Sequence, residues 1–362
     1  MVTGYYFAMA ILSFLCSCLY FRKWSRHFEL CFTLIYLLIP FVNVGYLLMA
    51  VSKDVGEAVT AIKITYLGGC YLLLVVMISI FTLCKIKIYR GVYFVLTMAS
   101  TAIYSCVLTI GHLDIFYKGV EIYIKNRSSY IVKDYGPVHS LFYIMIFVYL
   151  GLSVGGIIYG AATKKEVSLR NVMLITVSEI STVFAFFFGR ALTGNIEWIP
   201  AAYLLDGIIY LLIVERLALY DVASVVSETL VVHGKIGFLS FDLDKNYLGA
   251  NETAKLLLPD IKEVRVDRPV RSGRLKELTD KWIEDFKKDE LTRDLFYENG
   301  GVIYKIKVGY LFDKMKIRGY RISIEDDTEH QQYLKTISQY NKNLRRENDE
   351  KTKIIAKMRN DL

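Results

Sequence analysis

For its first 214 residues the chain alternates long apolar runs with short polar loops; charge fills the remainder. Seven runs reach the roughly 20 residues needed to cross a bilayer, at about residues 2–21, 30–51, 60–84, 91–111, 139–162, 171–189 and 199–214. No basic residue precedes the first run, whereas Arg22, Lys23 and Arg26 follow it. That order is the reverse of a cleaved signal peptide, and it predicts a retained span with its N-terminus outside. The loops repeat the message. Lys85, Lys87 and Arg90 follow the third run and Lys164, Lys165 and Arg170 the fifth, while "SKDVGEAV" and "RALTGNIEW" are nearly neutral. Alternating basic loops predict that the odd loops and the C-terminal half face the cytoplasm. Trp24 and Trp198 fall at span ends, where amphipathic rings favour the headgroup layer.

Between the fourth and fifth runs, "VEIYIK" and "SYIVKDYG" have strand composition around a turn at 126–129, which predicts a small outer hairpin. After Val214, "ERLALYDVASVVSETLVV" continues the last span as a helix. "IGFLSFDLDKNYLGAN" reads as strand, turn and strand, "ETAKLLL" as a short helix stopped by Pro259, and "GRLKELTDKWIEDFKKD" as a longer one. A hairpin turned at 299–301 follows. Its second strand alternates so that Val302, Tyr304, Ile306, Val308 and Tyr310 share a face, and Tyr320, Ile322 and Ile324 repeat the period. These elements predict a small α+β domain with one antiparallel sheet.

The last helix carries a third pattern. Leu334, Asn341, Asn348, Ile355 and Leu362 are spaced by seven, with Ile337, Leu344, Lys351 and Met358 three residues on. These are the a and d rows of a coiled coil, and Asn341 and Asn348 at a favour a parallel homodimer in fixed register.

Charge sharpens the division. Residues 1–214 carry 16 Lys+Arg against 10 Asp+Glu, so most of the net +8 belongs to the membrane half, where it reports topology. The nearly balanced C-terminal half offers no basic surface for nucleic acid. The six cysteines, from Cys16 to Cys106, lie in or beside apolar runs and behave as small hydrophobes, and the C-terminal half has none for thiol or thiolate-metal chemistry.

On the stretches "LIPFVNVGYLLMA", "KITYLGGCYLLLVVMI" and "YLLDGIIYLLIVERLALYDV", the first 220 or so residues resemble the seven-transmembrane sensor region of bacterial histidine kinases and cyclic-dinucleotide enzymes. "IGFLSFDLDKNYLGANETAKLL" through "ISIEDDTEH" resembles a PAS domain, whose exit carries Asp-hydrophobic-Thr. Asp326 and Thr328 match that pattern, and Asp327 stands where the hydrophobic residue belongs. "RRENDEKTKIIAKMRNDL" looks like the linker preceding an HD-type phosphohydrolase or a diguanylate cyclase, so the chain is expected to be a fragment or a receptor without its own output. His330, followed by Gln331, lacks the acidic neighbour usual for a phosphorylated histidine and reads as a surface residue; His233 is poorly placed for haem.

The informative polar residues lie in the apolar runs. Glu179 is about eight residues from the start of span six and Asp206 about eight from the end of span seven, which puts both about 12 Å from the inner face. Two carboxyl groups at one depth are costly unless paired, protonated or wetted, and one is expected to hold a proton for the other. Two readings stay open: a ligand, cation or proton site, or an interhelical hydrogen bond that fixes packing. Asn43, three residues after Pro40, marks a kink in span two and a polar group to satisfy it. Lys63 snorkels or binds. Gly151, Gly155, Gly156 and Gly160 form two overlapping small-residue pairs for close helix packing.

The expected architecture is therefore multi-domain: an all-α seven-helix transmembrane bundle (1–220), a cytoplasmic α+β PAS-like domain (221–327) and a signalling coiled coil (328–362). The expected function is an inner-membrane sensor in contact with lipid, dimeric through 328–362, answering a small molecule or a proton. Any cofactor is unknown. A secondary transporter with a regulatory tail is the alternative, and it would show two similar halves with broken helices. No catalytic constellation stands out in the C-terminal half.

Overall fold

The computed structural model describes residues 2–24, 29–125, 128–189, 196–230, 236–271, 273–288, 295–313 and 316–360. Arg26, the turn at Asn126, most of the "RALTGNIEW" loop, His233 and Leu362 lie outside the described residues. The chain divides into two compact units, Met1–Ala218 with Arg265–Asp267, and Leu219–Val264 with Arg268–Leu362.

The first unit is helical. It comprises α1 (Val2–Lys23), α2 (Leu30–Val51), α3 (Val55–Leu83), α4 (Arg90–Leu108), α5 (Val138–Thr163), α6 (Leu169–Phe187) and the first half of α7 (Ile199–Leu230). Among the described residues, six helices, α1 to α6, are long and apolar enough to cross a membrane. The start of α7 buries Tyr203, Ile209, Tyr210, Ile213 and Val214 in the same core as α2 and α3.

Local chemistry sets the helix boundaries. The expected loop over 52–59 shrinks to three residues, because Asp54 accepts from the Glu57 amide at 2.9 Å while the Glu57 carboxylate accepts from the Lys53 amide at 2.8 Å. This is a variant of the capping box in which the carboxylate reaches the residue before the N-cap, and it starts α3 at Val55. Within α3 the backbone widens into a π-turn over Gly68–Leu72. A side chain on Gly68 would collide with Tyr203 and Val42, and one on Gly69 with Phe142, so the two glycines let neighbouring helices close on the bulge.

Two packing expectations need correction. Pro40 cannot donate to the Tyr36 carbonyl; the donor that replaces it is the Ser17 hydroxyl of α1, at 2.6 Å, and not Asn43. Asn43 reaches across to α7, where its amide donates to the Pro200 carbonyl at 3.4 Å. Of the four glycines on α5, Gly156 and Gly160 pack closely, against Phe81 and Cys84 of α3. Gly151 and Gly155 have open space where a Cβ would stand, because a step of one residue turns the helix by about 100° and carries them to its outer side.

Contacts at the two ends of the bundle order its loops. Lys23 pairs with Glu215, the Arg216 guanidinium donates to Asn171 at 3.0 Å, and Cys84 meets Gly160. The three basic loops therefore share one end. At the other, Tyr5 donates to the Glu197 carbonyl at 3.2 Å, and a hairpin of β1 (Tyr117–Lys125) and β2 (Ser128–Tyr135) is tied down by Thr3 and Ser128, 2.8 Å apart, and by Ser129 donating to the Ser52 carbonyl.

In the second unit, β3 (Ile236–Asp242), β4 (Tyr247–Ala250), β5 (Leu295–Asn299), β6 (Val302–Asp313) and β7 (Lys316–Asp326) form one antiparallel sheet in the order β4-β3-β7-β6-β5. The helices α8 (Glu252–Leu257) and α9 (Arg274–Lys288) lie between β4 and β5 in the chain. The period-two residues face one another in register: Ile306 with Ile324, Val308 with Ile322, Tyr310 with Tyr320. The apolar stripe of α9 covers this face, setting Trp282 5.9 Å from Tyr297 and Phe286 5.0 Å from Tyr310. On the far side of α9, Asp280 holds the Lys245 ammonium at 2.8 Å and raises its pKa.

The sheet hands over to α10 (Thr328–Asn360) through the Asp326–Thr328 exit. The Thr328 amide and hydroxyl both donate to Asp326, at 3.0 and 2.6 Å, and the Thr328 oxygen accepts from the Ile303 amide at 3.0 Å. Asp327 is tolerated between them because its carboxylate accepts from the Gln331 side chain at 2.7 Å in the first turn of the helix. Along α10, Leu334, Ile337, Asn341, Leu344, Asn348 and Ile355 are all exposed.

A buried carboxyl pair as the candidate functional site

The site is built from α6 and α7. The Ser168 hydroxyl caps α6 by accepting from the Asn171 amide at 3.1 Å, and the helix then runs unbroken to Phe187. Ser178 and Thr182, four residues apart, stand on one face. Both reach Asp206 of α7: the Ser178 hydroxyl donates to one carboxyl oxygen at 2.6 Å and the Thr182 hydroxyl to the other at 3.0 Å. Glu179 follows Ser178 in the chain. Ser153 of α5, itself buried, lies near its carboxyl group, as does Asp206.

Burial makes the arrangement consequential. Glu179 is 5% exposed and Asp206 2%. Tyr203 and Tyr210, about one turn either side of Asp206, are fully buried. The Tyr210 hydroxyl lies 2.6 Å from that of Ser79 on α3, and Tyr36 of α2 donates to the Gly207 carbonyl at 2.7 Å. These bonds fix the height and rotation of α7 against three other helices.

The two carboxyl groups are satisfied unequally. Each oxygen of Asp206 accepts a hydroxyl hydrogen, whereas Glu179 Oε2 is buried and has no hydrogen-bond partner. No ion pair reaches either group among the described residues. A buried, unmatched acceptor beside a second acid in an apolar bundle is costly, and a positive species relieves both the lost hydrogen bond and the like-charge repulsion.

Of the residues singled out by sequence, Glu179 and Asp206 come together. Asn43 meets α7 six residues earlier, at Pro200, and its Oδ1 is also buried without a partner. Lys63 is half-buried on α3, with its carbonyl accepting from Tyr104 at 3.3 Å. Asn341 and Asn348 lie on α10, in the second unit. Sequence reasoning passed over the hydroxyls of Ser153, Ser178 and Thr182, although the four-residue spacing of Ser178 and Thr182 around Glu179 was there to be read.

It also passed over a second buried polar group. His139, at the start of α5, shares a hydrogen bond between Nε2 and the Tyr66 hydroxyl, 3.1 Å apart, and the Tyr66 and Tyr117 hydroxyls are 2.5 Å apart. Tyr135 of the hairpin stacks on the imidazole with ring centres 4.1 Å apart, and Phe116, Phe142 and Tyr143 surround it. The aromatic density of "IFYKG" and "YGPVHSLFY" was its signal.

A bundle with six helices long and apolar enough to cross a membrane among the described residues, with ionisable groups buried between them and a sheet-bearing unit following, is the architecture of a multi-pass membrane protein. The chain belongs to the family described as the N-terminal 7TM region of histidine kinase, which matches residues 5–223. No curated protein and no solved structure matches it.

Proposed function

We propose that the protein is a seven-span membrane receptor in which Glu179 and Asp206 form the sensing site, answering the arrival or loss of a positive charge. The observation that carries this is the unpartnered Glu179 Oε2 beside a fully satisfied Asp206. The first half of α7 is the seventh span, the N-terminus faces outward and the basic loops face the cytoplasm. Charge entering or leaving the pair shifts α6 against α7, and α7 continues without a break to Leu230, so the shift has a path along one helix.

The second unit is then a PAS-like relay. Its two strands, helices and three strands in a single sheet support that reading, as do the bonds at the Asp326–Thr328 exit. Two copies of α10 pair through Leu334, Ile337, Leu344 and Ile355, which are otherwise exposed apolar residues on a 33-residue helix. An output of the two-component or cyclic-di-GMP kind would receive the change. Disulfide trapping of L344C between two copies tests the pairing, and a reporter fused after Leu217 tests the orientation; failure to cross-link, or a reporter on the outer face, rejects the corresponding part.

The central test is a chimera carrying residues 1–223 on a reporter kinase. E179Q and D206N keep shape and hydrogen-bonding capacity while removing charge. Each is expected to lock the output at one level across external pH and salt, with insertion unchanged. Wild-type responses from both variants would leave the pair as a packing device.

A further inference from the structure

We propose that the Glu179–Asp206 pair holds a sodium ion, bound by the free oxygen of Glu179 with hydroxyl oxygens of the same cluster. The inference rests on the sensing-site reading for its location, and its occupant is argued separately. The polar side-chain atoms gathered there, from Ser153, Ser178, Glu179, Thr182 and Asp206, are all oxygens. Such a set suits a hard cation and offers nothing to a soft metal.

Charge and hydrogen-bond accounting then select a monovalent ion. Asp206 already accepts a hydroxyl hydrogen on each oxygen, at 2.6 and 3.0 Å. Glu179 retains one unmatched oxygen, buried to less than the reach of water, so a single positive charge is called for there. Magnesium keeps several waters and demands octahedral geometry, and calcium takes six to eight oxygens. The five side chains gathered here supply neither arrangement, and Tyr203 and Tyr210, about one turn either side of Asp206, are fully buried. Hydroxyl groups can serve sodium without breaking their present bonds, because a hydroxyl that donates to a carboxylate still has lone pairs to offer.

The experiment uses the full chain purified in detergent. Thermal unfolding is followed in sodium chloride, potassium chloride and choline chloride at matched ionic strength, with calcium chloride as a separate arm; equilibrium binding of radioactive sodium measures stoichiometry. Sodium is expected to raise the unfolding temperature by several degrees over choline, saturably, with one ion bound per chain, because a ligand that binds only the folded state stabilises it by mass action. E179Q is expected to lose both the shift and the bound ion. Should that variant fold poorly, S153A, which removes one oxygen and no charge, is expected to weaken sodium binding several-fold. Equal stability in sodium and choline, an undiminished sodium shift in E179Q, or stabilisation by calcium alone would overturn the proposal. Sodium binding together with unaltered signalling by E179Q would refute the sensing reading and spare the ion site; altered signalling without sodium binding would do the reverse.

Discussion

Two of the polar clusters buried in the membrane unit are finished to different standards. Around His139 each ring has a partner: Tyr66 bridges Tyr117 and the imidazole, and Tyr135 stacks on the open face of the ring. Around Glu179 one carboxyl oxygen is left bare in equally deep surroundings. Both clusters join several helices, so both look structural by position. The difference lies in satisfaction. A buried group kept for stability is fully hydrogen-bonded, whereas an unmet one lowers stability and persists where another species completes it.

Breaking the outer cluster should have the largest effect. H139A removes a buried ring in contact with five aromatic rings and leaves the Tyr66 hydroxyl without its nitrogen partner. Destabilisation of about 3 kcal/mol is expected, combining the cavity with a lost hydrogen bond. Unfolding of the full chain in mixed micelles measures it. A loss near zero would mean that the hairpin and α5 are held by other contacts and would erase the contrast drawn here.

The inner cluster can be probed from its satisfied side. S178A takes one donor from Asp206. If Asp206 is a carboxylate, the bond is charge-assisted and its loss costs roughly 1.5–3 kcal/mol; a neutral acid would lose about 1 kcal/mol. The sodium shift should persist in S178A, reduced rather than abolished, because Glu179 is untouched. A cost below about 1 kcal/mol would place the negative charge on Glu179 alone and reverse the roles of the two acids.

The sequence announced these two regions very unequally. Glu179 and Asp206 stood out because a charged residue inside an apolar run is rare, and helical rise alone put them at one depth. Their hydroxyl partners were less visible, since Ser and Thr are common in membrane helices and bond their own backbone there, as Thr176 does to the Val172 carbonyl at 2.7 Å. The His139 cluster gave no signal in hydropathy, because Tyr66, Tyr117 and Tyr135 come from three elements that only the folded chain brings together. Pro40 pointed to Asn43 as the polar group beside a kink, but the donor that meets the Tyr36 carbonyl, Ser17, comes from a different helix. The Asp54–Glu57 capping box was legible and would have shortened the predicted loop. In the second unit, period-two alternation sufficed to place β6 and β7 and the face they share, because the rule acts within one strand.

The smallest expected change in stability is also the most telling. E179M replaces the carboxyl group with an apolar side chain of similar length, removing the unmatched oxygen and the like charge facing Asp206. In an apolar bundle that exchange relieves a cost rather than creating one, so stability should stay level or rise by up to ~1 kcal/mol. Ser153 loses a polar neighbour, which sets the limit on the gain, although a helical serine can turn to its own backbone carbonyls. The same variant should show no difference between sodium and choline in its unfolding temperature and no response in the receptor chimera. A protein made no less stable and at the same time deaf is the signature of a group retained for its task. Destabilisation of E179M on the scale expected for H139A would instead put the carboxyl pair in the same class as the aromatic cluster, a satisfied joint between helices, with water or a neighbouring hydroxyl meeting the oxygen.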